Sequence, residues 1–112
     1  MPLFKILSNT DVPDRKKFIN RASREIAQIL GKPEKYVMVI FIPNLDLVFS
    51  GTPEPALYIE LKSIGLPKEK AGDITRKMME FLTSETSIPQ SRMFIEFTDV
   101  QRDLWGWNGD TM

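Results

Sequence analysis

The 112-residue chain contains no cysteine and no histidine. Their absence removes disulfide frameworks, thiol nucleophiles, Ser-His-Asp triads and the common soft metal sites, so no metal and no cofactor is expected. Charge of one sign is missing too: 15 Lys and Arg balance 15 Asp and Glu, with no polybasic run. Such a chain has no electrostatic footprint for nucleic acid or for an anionic membrane surface, and neither is expected as a partner. No stretch approaches the roughly 20 apolar residues of a membrane span, and Met1-Pro2-Leu3-Phe4-Lys5 lacks a signal peptide's apolar region. The expected location is cytoplasmic, with leaderless export leaving no sequence mark. Acid-base chemistry falls to carboxylates, lysines, tyrosines or a chain terminus.

What is present is 42% hydrophobic residues in periodic order. Leu3 to Thr10 alternates as a strand does, and Asn9-Thr10-Asp11-Val12-Pro13 reads as a turn. Phe18, Ile19, Ala22, Ile26, Ile29 and Leu30 recur at spacings of three and four, which predicts a helix over 14–30. Pro13 suits its first turn, and Gly31 with Pro33 stops it. Tyr36 to Pro43 is a nearly continuous apolar run, the pattern of a strand buried on both faces. After a short extra hairpin around Leu47 to Gly51 the order repeats. Ala56 to Ile64 is a strand, Gly65-Leu66-Pro67 opens a helix with Ala71, Ile74, Met78, Phe81 and Leu82 on its apolar face to about Ser84, and Met93 to Val100 is a strand.

These readings predict a single α/β domain of the two-layer α+β kind, 1–112. It consists of duplicated β-α-β units, with pseudo-repeat halves of about 1–50 and 51–112 and a tail carrying Trp105 and Trp107. Right-handed crossovers lay both helices on one face of a four-stranded sheet. The other face then carries several of Phe4, Ile6, Val37, Val39, Phe41, Tyr58 and Phe94, depending on register, and needs cover. Burial against further copies is one solution. A monomeric ferredoxin-like scaffold with no implied chemistry is the other.

The Pro2 start, Gly31-Lys32-Pro33 followed by Tyr36, the Ser63-Ile64-Gly65 turn and the closing Trp105-Gly106-Trp107-Asn108 together resemble the macrophage migration inhibitory factor family of the tautomerase superfamily. The resemblance runs through almost the whole chain. It implies a homotrimer whose sheets form a central barrel, with a site at each subunit interface built on an N-terminal proline. The implied activity is keto-enol tautomerisation of phenylpyruvate-like 2-oxo acids, with the Pro2 amine, freed by loss of Met1, as general acid-base. The resemblance assigns Lys32 to the substrate carboxylate, the Ile64 amide, at the Ser63-Ile64-Gly65 turn, to a second donor position with Ser63 among the substrate-binding residues, and Tyr36, Phe94, Trp105 and Trp107 to the apolar walls. Phe94 stands where many members carry tyrosine and Glu96 where asparagine is frequent, which weakens or redirects the expected activity. The alternative it leaves is a cytokine-like binding or signalling protein with a vestigial pocket, whose partner is a protein receptor if the chain is exported.

Overall fold

A computed structural model describes all 112 residues. Strand β1 (Leu3–Ser8) is followed by helix α1 (Arg15–Leu30), strand β2 (Met38–Ile42), strand β3 (Leu57–Ile64), helix α2 (Ala71–Thr86) and strand β4 (Met93–Val100). A two-stranded hairpin, β5 (Gly106–Trp107) and β6 (Asp110–Thr111), ends the chain. The main sheet has the order β2-β1-β3-β4. β1 pairs in parallel with β2 and antiparallel with β3, and β3 runs parallel to β4. Each parallel pair closes one β-α-β unit, and the antiparallel β1-β3 seam joins the two.

Helix α1 begins where the Asp14 carboxylate accepts the Lys17 N–H at 3.1 Å, so one otherwise orphaned donor is satisfied. Pro13 stands just outside the helix, ahead of this cap. The helix stops at Gly31, which takes the left-handed conformation (φ 63°) and returns its N–H to the last turn. Phe18, Ala22 and Ile26 from α1, with Ile74, Met78 and Leu82 from α2, bury against Phe4, Ile6, Leu57, Ile59 and Leu61 of the sheet. Burying side chains of this size stabilises by roughly 1.5–3 kcal/mol each before the entropy of ordering them is subtracted.

The structure settles the strand register and corrects several expectations. Phe4, Ile6, Val39 and Phe41 belong to the helix-covered face, where they form or pack against the core, and Val37 packs there as well. The uncovered face carries Tyr58 and Phe94 of the predicted set, joined by Leu3, Leu7, Met38, Ile40 and Ile42. β2 is an edge strand rather than one buried on both faces, because β1 alone pairs with it. It starts at Met38, after a 3-10 turn over Glu34–Tyr36. Only a single bridge between Phe49 and Thr52 forms in place of the extra hairpin. α2 starts at Ala71, after a 3-10 turn over Lys68–Lys70, and runs on to Thr86.

Candidate functional site

Register brings the first residues of the chain to one end of the sheet. β1 pairs with β3 up to Leu3 opposite Lys62, and continuing that register puts the chain's first residue level with Ile64. The Pro2 carbonyl accepts the Met38 N–H at 3.0 Å, and the Pro2 ring is fully buried. Lys32, just past the end of α1, donates from Nζ to the Ile64 carbonyl at 2.7 Å. Gly65 then turns the chain with φ 68°, a conformation in which a Cβ is strained. Ile64 pairs with Val100, so the segment after β4 leaves from the same end. Its 3-10 turn, Arg102–Leu104, leads into the terminal hairpin. That hairpin folds back, the Met112 N–H donating to the Trp105 carbonyl at 2.9 Å, and it sets Trp107 edge-on to Tyr36 with ring centroids 5.7 Å apart.

The single chain therefore brings Pro2, Lys32, Ile64, Tyr36, Trp105 and Trp107 to the end of the sheet that holds the terminus. Ser63 is close in sequence but turned away. Its side chain lies on the helix side, fully buried, with an Oγ that has no hydrogen-bond partner, beside a cavity of about 400 Å³ that Lys32, Leu66, Lys70 and Ile74 also line.

Phe94 and Glu96 are not brought to the terminus. Phe94 pairs with Tyr58, which pairs with Leu7, so it stands at the opposite end of the sheet. It is 62% exposed and packs on Phe49 with centroids 4.5 Å apart. Glu96 lies beside Glu60 on the uncovered face, where its Oε1 accepts the Tyr58 hydroxyl at 3.3 Å. Desolvation first, and then the charges of Glu96 and Glu60, push the Tyr58 phenol above its usual range.

The electrostatics of the terminus follow from the same placement. The Met1 amine is held below the ordinary value for a chain terminus, first by desolvation and then by the positive charges of Lys32 and Arg102. Each of these causes penalises the ammonium form. A terminal amine in this position is a weaker base than a solvated one, and the balance shifts toward its neutral form. Sequence reading missed Arg102, because an arginine in a short irregular segment carries no periodic signal.

Duplicated β-α-β units under one helical layer, with the chain's terminal amine near Lys32 and Arg102 at the sheet end, define a small two-layer α+β protein. The chain belongs to the macrophage migration inhibitory factor family: the sequence model described as Macrophage migration inhibitory factor (MIF) matches residues 1–112. A macrophage migration inhibitory factor homolog of Trichinella spiralis is 36% identical over 115 aligned residues, covering 99% of both chains. One of Brugia malayi is 35% identical, covering 99% of this chain and 98% of the relative. The crystal structure of a homologue from Prochlorococcus marinus superposes with a TM-score of 0.91 at 37% identity over 97% of both chains. The Trichinella spiralis structure gives 0.92 at 32% identity over 98% of this chain and 99% of that one.

Proposed function

We propose that this protein is a keto-enol tautomerase of phenylpyruvate-like 2-oxo acids, acting as a homotrimer with the Pro2 amine as general acid-base once Met1 is removed. The observation that carries the reading is the terminus itself, an amine of lowered basicity at the sheet end with Lys32 beside it. While Met1 remains, the Pro2 nitrogen is an amide and has no basic lone pair. After its removal the nitrogen is a secondary amine at the same end of the sheet as Lys32, on the residue whose carbonyl accepts the Met38 N–H. The neutral amine takes a proton from the carbon next to the substrate carbonyl. The C–H electron pair becomes the C=C bond, the C=O π pair moves onto oxygen, and the protonated Pro2 amine hands its proton to that oxygen to give the enol and regenerate the neutral amine; the reverse sequence restores the ketone. Lys32 pairs with the substrate carboxylate, the Ile64 amide is the second donor, and Tyr36, Trp105 and Trp107 hold an aromatic ring and keep the amine dry.

The homotrimer is supported by two features of the single chain. Its uncovered sheet face carries Leu3, Leu7, Met38, Ile40, Ile42, Tyr58 and Phe94, apolar surface that burial between copies removes from water. Phe94 and Glu96 stand at or toward the other end of the sheet, so they reach a Pro2 pocket only from a second copy.

The test is Pro2→Gly in protein whose intact mass shows that Met1 is absent. Turnover of phenylpyruvate enol, followed by ultraviolet absorbance, should fall by about two orders of magnitude or more, the usual share of a positioned acid-base group. Unchanged turnover with the fold intact rejects Pro2 as the base. The relatives' own description as migration inhibitory factors supports a second reading, a protein acting on a receptor through its surface. In that case signalling survives Pro2→Gly.

A further inference from the structure

Arg102 is the one cation at the terminus that the proposed reaction leaves without a task. It lies two residues past Val100, which pairs with Ile64, and Ile64 is the residue whose carbonyl holds Lys32. The short turn that bears it is anchored downstream by the Met112 to Trp105 hydrogen bond, so its backbone is fixed by the terminal hairpin. Its guanidinium is exposed and makes no hydrogen bond or ion pair within the chain. Neighbouring carboxylates leave it free: Asp99 accepts the Leu66 N–H at 3.0 Å, and Asp103 makes no bond to it. Lys32 and Arg102 thus stand at the Ile64 end of the sheet, both acting on the terminal amine, and neither makes an ion pair within the chain; the carboxylate that a second copy brings toward the pocket is Glu96. Two such cations repel each other and are relieved by anionic charge.

We infer that Arg102 is a specificity-determining residue: with Lys32 it forms a two-cation site that favours dianionic 2-oxo acids, bearing a second carboxylate, over monoanionic aryl ones. One carboxylate goes to Lys32, a compact point charge already oriented by the Ile64 carbonyl. The second meets the planar fork of Arg102, whose paired N–H groups match a carboxylate bidentately. A monoanion satisfies one cation and leaves the other bare. The inference deepens the tautomerase reading, since the substrate it names is one for that same amine, while the anion site itself exists whether or not the amine is catalytic.

The experiment separates the two. Succinate and butanoate have the same number of carbons, differ by one carboxylate and cannot be turned over by a proton shuttle beside a ketone. Binding of each to Met1-free protein is followed through the indole N–H signals of Trp105 and Trp107. Succinate should bind about 10-fold more tightly than butanoate, roughly 1.4 kcal/mol. Arg102→Gln should erase that advantage while changing butanoate affinity less than about 3-fold, and Arg102→Lys should restore part of it. Equal affinities in the unsubstituted protein, equal loss for both ligands in Arg102→Gln, or binding of neither overturns the inference. Turnover of oxaloacetate enol against phenylpyruvate enol is then read separately. If succinate is selected and neither enol is turned over, the anion site stands and the tautomerase reading falls. If both enols are turned over but succinate is not selected, the reverse holds.

Discussion

Strand β4 is flanked by two arginines with opposite fates. Arg92 precedes it in a 3-10 turn and is 9% exposed. Its guanidinium donates to four main-chain carbonyls: Phe49 at 2.6 Å, Glu54 at 2.8 Å, Thr52 at 3.2 Å and Pro55 at 3.3 Å. It also lies over the Phe49 ring at 5.0 Å. Arg102 follows the strand in another 3-10 turn and touches no acceptor. One end of the sheet therefore uses its arginine to hold a loop that has almost no regular structure of its own, and the other keeps its arginine free. Where internal acceptors saturate a cation its role is architectural. Where the fold supplies none, the acceptor is left to come from outside.

Arg92→Ala should produce the largest loss, because it strands four carbonyls and removes a buried charged donor. We expect about 3–5 kcal/mol of destabilisation by denaturant unfolding, against less than about 0.5 kcal/mol for Arg102→Ala. Similar values for the two would dissolve the contrast. The pH dependence of turnover sharpens the comparison at the free end. Nearby positive charge disfavours the protonated amine, so removing a cation lets the ammonium persist to higher pH. The acidic limb of the pH profile of kcat/KM for phenylpyruvate enol should move to higher pH in Arg102→Gln and in Lys32→Ala, and stay in place in Asn9→Ala, whose side chain donates to the Pro53 and Glu54 carbonyls and accepts the Ala56 N–H far from the amine. The smallest effect is expected at Ser63, whose buried hydroxyl has no partner. Ser63→Ala should leave stability unchanged or raise it by up to about 1 kcal/mol. A loss larger than that in thermal unfolding would show that the hydroxyl is satisfied after all.

Much of the scaffold was legible because it is periodic. The three-four spacing of Phe18, Ala22 and Ile26 and the apolar run from Tyr36 to Pro43 that holds β2 are signals that burial itself writes into a sequence, and the paired β-α-β order followed from them. The side of the sheet each strand residue faces was not legible, since a period of two is unchanged when the strand is turned over. The terminal hairpin was missed because each of its strands is two residues long. The signal was nevertheless present: Asn108 and Gly109 both have positive φ, 54° and 83°, and Asn-Gly is the pair that tight hairpin turns favour. Within the site, Lys32, Tyr36 and Trp107 were found through their place in a resemblance. Arg92 and Arg102 were invisible by that route, because their roles depend on which carbonyls lie nearby and neither composition nor spacing records that.

The Pro2 carbonyl held by the Met38 amide has a consequence for how such a site changes over evolutionary time. A reactive nitrogen that belongs to the ladder is aimed by strand pairing, which any pair of extended segments in the right register provides, and not by a rotamer that its neighbours must defend. The aromatic walls and the flanking cations can be exchanged one at a time while the nitrogen stays where the backbone puts it. With the proposed Pro2 chemistry, a change in clientele then requires no rebuilding of the reactive centre, and the departures from the family pattern at Phe94 and Glu96 are the kind of drift that this arrangement tolerates.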